Sequence, residues 1–167
     1  VSRETLQKAK EAGCYLVSFG IESGVKSSLD VADKGIEVEQ SERAVRLAKE
    51  AGLIARATFI LGLPGESREQ SEETIRCSRR LPLDQVRFAL ATPFPGTPLW
   101  GIALRESGKD PDAEVDWMKL SSMGGYRPEE LFYVPKGRDS EELKKLQRQA
   151  NFGFYFRPRI MWSFLKR

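Results

Sequence analysis

A chain of 167 residues, 40% hydrophobic and 31% charged, is long enough for one domain with a core and a solvated shell. Its 27 basic and 24 acidic residues leave a formal charge of +3, too balanced for a nucleic-acid binder, and only the extreme C-terminus is locally basic. Two cysteines, Cys14 and Cys77, exclude a disulfide framework or a zinc site; they read as small buried hydrophobes in a reducing, cytoplasmic protein with no signal peptide and no membrane span.

No initiator Met precedes Val1, and Ser2 is placed to cap a first helix over about 2–12, with Leu6, Ala9 and Ala12 on its inner side and Gly13 as its stop. The run Tyr15-Leu16-Val17-Ser18-Phe19, in a strand over 14–20, has the near-continuous apolar pattern of a parallel strand flanked on both sides. The chain is therefore expected to begin inside a larger fold. A short helix near 25–33 and a longer one near 39–51 follow, the latter facing inward with Ala44, Val45, Leu47 and Ala48. The second strand is 54–61. Ser67 or Ser71 caps a third long helix with early Glu and late Arg, ending at Leu81-Pro82. The third strand, 85–91, runs into the rigid loop Thr92-Pro93-Phe94-Pro95-Gly96-Thr97-Pro98.

Lys-Glu-Ala-Gly closes a helix at 10–13 and again at 49–52, so one βα unit is used twice. Strands separated by helices of this length pair in parallel through right-handed crossovers, giving part of a β/α barrel or a doubly wound sheet. Residues 108–138 read as loop with a short turn around Asp116–Leu120. From Asp139 the chain is helical and then aromatic and basic, a helix expected to pack on a neighbouring domain because its aromatics do not form one stripe.

In such folds ligands gather at the strand C-termini. One rim is Phe19-Gly20-Ile21-Glu22-Ser23-Gly24, where a carboxylate ending an apolar strand needs a partner: a ligand hydroxyl or amine, or a salt bridge to a neighbouring loop. Lys34, before Gly35, can reach back over that rim toward an anion, or remain a solvated helix-terminal lysine. The other rim is Phe59-Ile60-Leu61-Gly62-Leu63-Pro64-Gly65-Glu66-Ser67. There the glycines admit a ligand close to backbone, and Glu66 either meets that ligand or caps its own helix. No Gly-Lys-Ser/Thr follows, which rejects a Walker-type phosphate loop.

These two rims, with Lys34-Gly35 between them and Asp84 entering a strand that ends Thr92-Pro93-Phe94-Pro95-Gly96-Thr97-Pro98-Leu99, resemble the radical S-adenosylmethionine (radical SAM) superfamily. Within it the chain is most similar to enzymes with an N-terminal cobalamin-binding domain, the group of the anaerobic magnesium-protoporphyrin ester cyclases; Phe154-Tyr155-Phe156-Arg157-Pro158 also resembles that group's C-terminal region. The resemblance implies an α/β fold: the second half of a six-stranded, partial TIM-type (β/α) barrel over 1–107, and a helical C-terminal extension over 108–167.

The family's [4Fe–4S] cluster sits on a Cys-x3-Cys-x2-Cys loop that residues 1–167 lack, and Cys14 and Cys77 are in the wrong places to replace it. The cluster ligands are therefore expected upstream, with no catalytic and no metal-ligating residue here and no activity in these residues alone. The resemblance implies SAM contacts at Glu22, with Ser23 beside it, on the ribose side and at Lys34 on the SAM carboxylate. It also implies a stretch beside adenine, with Ile60 and Gly62 aligned to the family's Gly-x-Ile-x-Gly-x-x-Glu motif and backbone near Leu61–Leu63. Thr58 stands at that motif's first Gly and Gly65 at its Glu, so Glu66 comes one residue late.

The activity implied is reductive cleavage of SAM to a 5′-deoxyadenosyl radical, or SAM used with cobalamin for methylation or cyclisation. It would act on a small-molecule substrate, with an electron donor of flavodoxin or ferredoxin type and cobalamin held by an upstream domain. Alternatives are a branch without cobalamin, such as a methylthiotransferase or coproporphyrinogen-oxidase relative, and a non-catalytic βα module that binds a nucleotide or a partner.

Overall fold

The chain runs α1 (Arg3–Glu11), β1 (Leu16–Glu22), α2 (Lys26–Val31), α3 (Val38–Glu50), β2 (Ile54–Leu61), α4 (Arg68–Arg80), β3 (Gln85–Leu90), α5 (Pro98–Ser107), α6 (Ser140–Tyr155) and α7 (Pro158–Leu165). The computed structural model describes residues 1–108, 120 and 131–165, and side chains as far as Trp162. The repeated Lys-Glu-Ala-Gly builds the same helix end twice. Gly13 and Gly52 take φ 94° and 71°, and the next N–H, of Cys14 or Leu53, reaches back to the carbonyl of Ala9 at 2.9 Å or Ala48 at 3.0 Å. That closure needs a left-handed residue, which glycine supplies without strain.

The three strands pair in parallel in the order β1-β2-β3, in register at Phe19↔Ala57↔Val86. β1 runs two residues beyond its expected end because the register shifts between Gly20 and Glu22, a bulge that carries the strand to Glu22. Its apolar run had the pattern of a strand with two neighbours, yet among the described residues β2 alone pairs with it. Val17 and Phe19 pack beneath Leu6, Ala48 and Leu53, while Tyr15 is exposed. Cys77 is fully buried, as expected; Cys14 is only half-buried.

Alternation separates the two faces of the sheet. Ala55, Ala57, Phe59 and Leu61 of β2 and Val86, Phe88 and Leu90 of β3 are buried in one cluster with Val45, Ile75, Leu143 and Phe154 from the helices. The opposite face carries Ser18 and Gly20 of β1, Arg56, Thr58 and Ile60 of β2, and Arg87 of β3, all exposed or half-buried. Ser67, not Ser71, caps α4, its Oγ accepting the Gln70 N–H at 3.3 Å while Gln70 Oε1 accepts the Ser67 N–H at 2.8 Å.

Two elements depart from expectation. The Pro-rich loop ends early, since Thr97 caps α5 and Pro98 fills its first turn, where a missing N–H costs nothing. The C-terminal helices join this core instead of leaving it for a neighbour: Phe154 and Ile160 are 0% and 1% exposed. Side chains four residues apart on α6 also close the outer edge of β3. Asn151 Oδ1 accepts the Phe88 N–H at 3.0 Å, and Gln147 Nε2 donates to the Phe88 carbonyl at 2.9 Å. The Tyr155 hydroxyl accepts the Val86 N–H at 3.2 Å and donates to the Val86 carbonyl at 2.8 Å. Replacing Asn151 with Ala strips the Phe88 N–H of its acceptor and should cost about 1–3 kcal/mol in chemical denaturation. Gln149→Ala, on the exposed side of α6, should change stability by no more than about 0.5 kcal/mol. The expected turn at 116–120 lies outside the described residues except for Leu120, which is buried.

Candidate functional site

The rim of β1 brings Glu22 and Lys34 together. Glu22 takes φ 66°, in the left-handed region that a non-glycine residue enters at a cost of order 1 kcal/mol. Its Oε1 lies 2.8 Å from Lys34 Nζ, with the two side chains 14% and 35% exposed. Gly20 makes room for this pair: a Cβ there would fall 2.6 Å from Glu22 Oε1 and 3.4 Å from Lys34 Nζ. The carboxylate thus has its protein cation, and the pair sits at the strand end with the ammonium still open to solvent.

Ser23 faces the other way. It is buried, its Oγ 2.9 Å from Thr74 Oγ1 and accepting the Val25 N–H at 3.1 Å, while the Gly24 N–H donates to Thr74 Oγ1 at 3.2 Å. Gly24 must lack a side chain, because a Cβ would sit 2.4 Å from Cys77 Cβ on α4. Burial pushes the Cys77 thiol up to about 11, so it remains a neutral packing group. Ser23, Gly24, Thr74 and Cys77 clamp the first rim turn onto α4 and so position Glu22. Thr74 had no local signature, since its partner is 51 residues away.

At the second rim Gly62 takes φ 79°, and a Cβ there would press Leu143 at 3.3 Å. Leu61 and Leu63 are buried, so this stretch offers a ligand backbone, with half-buried Ile60 as the neighbouring side chain. Glu66 points inward at 4% exposure: Oε2 accepts the Leu63 N–H at 2.8 Å, and Oε1 accepts from Ser71 Oγ. Burial raises its carboxyl above the ordinary value, against the pull of these donors and of the Arg138 charge. Arg138 Nη1 donates to the Glu66 carbonyl and to Ser71 Oγ, both at 3.1 Å, while Nε and Nη2 hold Glu142 at 3.0 and 3.1 Å. Glu66 therefore shapes its own turn, and Arg138, which the sequence reading did not single out, ties that turn to the start of α6.

Among the described residues no group of three or more His, Cys, Asp or Glu side chains is placed to hold a metal ion. The arrangement can bind a ligand that offers hydroxyls or an ammonium to Glu22, an anion to Lys34 and a flat group to the backbone after β2.

Comparison with known proteins bears on which ligand this is. A sequence model described as the radical SAM superfamily matches residues 1–77. An uncharacterised methyltransferase of Pyrococcus horikoshii is 38% identical over 159 residues, covering 95% of this chain and 33% of its own. The anaerobic magnesium-protoporphyrin IX monomethyl ester cyclase of Rubrivivax gelatinosus is 36% identical over 91 residues, covering 54% of this chain and 16% of that protein. The solved structure of the radical S-adenosylmethionine methyltransferase TsrM from Kitasatospora setae, with cobalamin and a [4Fe–4S] cluster bound, matches at TM-score 0.65 over 95% of this chain and 35% of that one. At 20% identity that is a likeness of fold. The chain spans a third or less of the length of these curated relatives.

Proposed function

Because the chain belongs to the radical SAM superfamily and carries part of its TIM-type α/β fold, we propose that it is the SAM-holding portion of a cobalamin-type radical SAM methyltransferase. The Glu22–Lys34 pair over Gly20 carries this reading. SAM presents ribose hydroxyls, a carboxylate and an adenine ring. Glu22 accepts from the ribose hydroxyls, Lys34 donates to the carboxylate, and the backbone of 61–63 lies beside adenine next to Ile60. Ser23 and Glu66 act behind these contacts, fixing the two turns. Methyl transfer is favoured over cyclisation by coverage: the likeness to the Pyrococcus methyltransferase spans 95% of the chain, α6 included by its extent, whereas that to the cyclase spans 54%.

The described residues do not fit the [4Fe–4S] cluster, since Cys77 is buried against Gly24 and Cys14 lies at the opposite end of β1 from Glu22. Its ligands, and the cobalamin-binding domain, are assigned upstream of residue 1. A cluster held there would supply the electron for SAM cleavage, and a flavodoxin- or ferredoxin-type donor in the cytoplasm would be its source. This chain's residues orient SAM and keep water from it, residues 1–107 as barrel and α6 with α7 as the part of the C-terminal extension that braces it.

In the full-length reconstituted enzyme, Glu22→Ala and Lys34→Ala should each weaken SAM binding by about 1–3 kcal/mol, roughly 5–150-fold. Equilibrium binding measures this directly, and Lys34→Arg should recover part of the loss. Unchanged affinity in both alanine variants, with folding intact, reduces the pair to an ordinary salt bridge at the rim.

A further inference from the structure

Residues 143–167 hold seven basic and no acidic side chains, whereas the other 20 basic residues share residues 1–142 with all 24 acidic ones. Three guanidiniums converge where α6 turns into α7. Arg157 Nη1 donates to the Arg79 carbonyl at 2.9 Å, and Arg79 Nη2 lies 2.9 Å from where a Cβ on Gly153 would stand. Arg159 follows in the first turn of α7. Among the described residues Arg157 Nη2 is buried without an acceptor. Burial and the charges of Arg159 and Arg79 hold the Arg157 guanidinium below its ordinary range, a strain that an anion would relieve.

Exposed aromatic side chains stand on the same two helices. Phe152, Phe156 and Trp162 are 64%, 69% and 61% exposed, and the first two stand 6.4 Å apart on one side of α6. Ile160, buried in the core, fixes the roll of α7 so that Met161 and Trp162 face out. We propose that this α6–α7 elbow docks the protein on an anionic phospholipid bilayer, with Arg79 and Arg159 taking headgroup phosphates, Arg157 adding its positive charge behind them, and Phe152, Phe156 and Trp162 entering the acyl boundary.

Charge complementarity selects the occupant. The stretch from residue 143 onward, with seven basic and no acidic residues, is drawn to the negative surface of an anionic leaflet, and exposed aromatics gain area by burial at the headgroup boundary. A single-stranded nucleic acid would also accept arginines and aromatics, but exposed Met161 offers nothing to a base and partitions well into acyl chains. No helix among the described residues is long and apolar enough to cross a membrane, and the elbow itself meets the bilayer from its surface.

The test is flotation of the full-length protein with vesicles of phosphatidylcholine alone, and with vesicles in which phosphatidylglycerol replaces about a third of the lipid. Partition onto the anionic vesicles should exceed that onto neutral ones by about tenfold or more and fall as salt rises. Arg159→Glu and the double variant Phe156→Ser/Trp162→Ser should each remove most of that excess while leaving the thermal unfolding transition in place. The proposal is overturned by equal partition onto both vesicles, by no partition, or by variants that float like the unmodified protein. It is overturned as well if those substitutions dissolve a dimer in size exclusion, or abolish binding of a single-stranded RNA that the protein prefers to vesicles.

Discussion

Truncating Phe154 to alanine is expected to lower stability by about 3–5 kcal/mol, while the same change at Phe152, two residues earlier, should stay within about 0.5 kcal/mol. The two aromatics look alike in sequence and differ only in the side of α6 they occupy. Phe154 is 0% exposed and Phe152 64%. The Phe154 ring meets Tyr155 edge-on at 5.3 Å and lies under the Arg157 guanidinium at 4.0 Å, within the cluster that holds Phe88 and Ile160. Its removal opens a cavity beneath α6 at the place where Asn151 and Tyr155 grip the outer edge of β3, so lost packing and lost edge bonds fall together. Chemical denaturation of both variants measures the contrast. A loss at Phe154 no larger than at Phe152 would mean that α6 is an attachment to the sheet and not part of its core.

The elements whose chemistry is local were legible before any coordinates. The two Gly-closed helices, the extent of β2 and the cap of α4, narrowed to Ser67 or Ser71, each depend on residues near one another in the chain. What escaped depends on distance along the chain. The Glu22–Lys34 pair was foreseen only as two residues able to face one rim, because their meeting requires the left-handed turn at Asp33 and Gly35. Arg138 reaches Glu66 across 72 residues, and no spacing announces such a bond. The α6 grip on β3 did leave a trace, Gln147, Asn151 and Tyr155 at intervals of four, but polar residues at that spacing equally suit a solvated helix face. α5 was missed for a different reason. Thr97-Pro98 is a helix-start signature, and the prolines before it made the segment read as loop.

Replacing Glu66 with alanine should cost about 2–4 kcal/mol, because the Leu63 N–H and the Ser71 hydroxyl lose their acceptor where water does not reach. Glu66→Gln retains an oxygen for one of these donors and should cost less. Their pH dependence separates the forces on the carboxylate. Burial is the largest influence and raises the folded pKa above its unfolded value. The associated stability is then fully present below about pH 4.3, the ordinary glutamate value, and is lost as pH rises through the higher folded pKa. Glutamine does not titrate. The stability of the unmodified protein minus that of the Gln variant should therefore fall across this window and level off above it, as followed by denaturation at a series of pH values. A difference that instead grows with pH would mean that Leu63, Ser71 and Arg138 outweigh burial and that the carboxylate is held ionised. The turn beside β2 would then owe its shape to a buried charge, and Arg138→Lys, which loses the forked grip on Glu142, should disturb it as much as Glu66→Gln does.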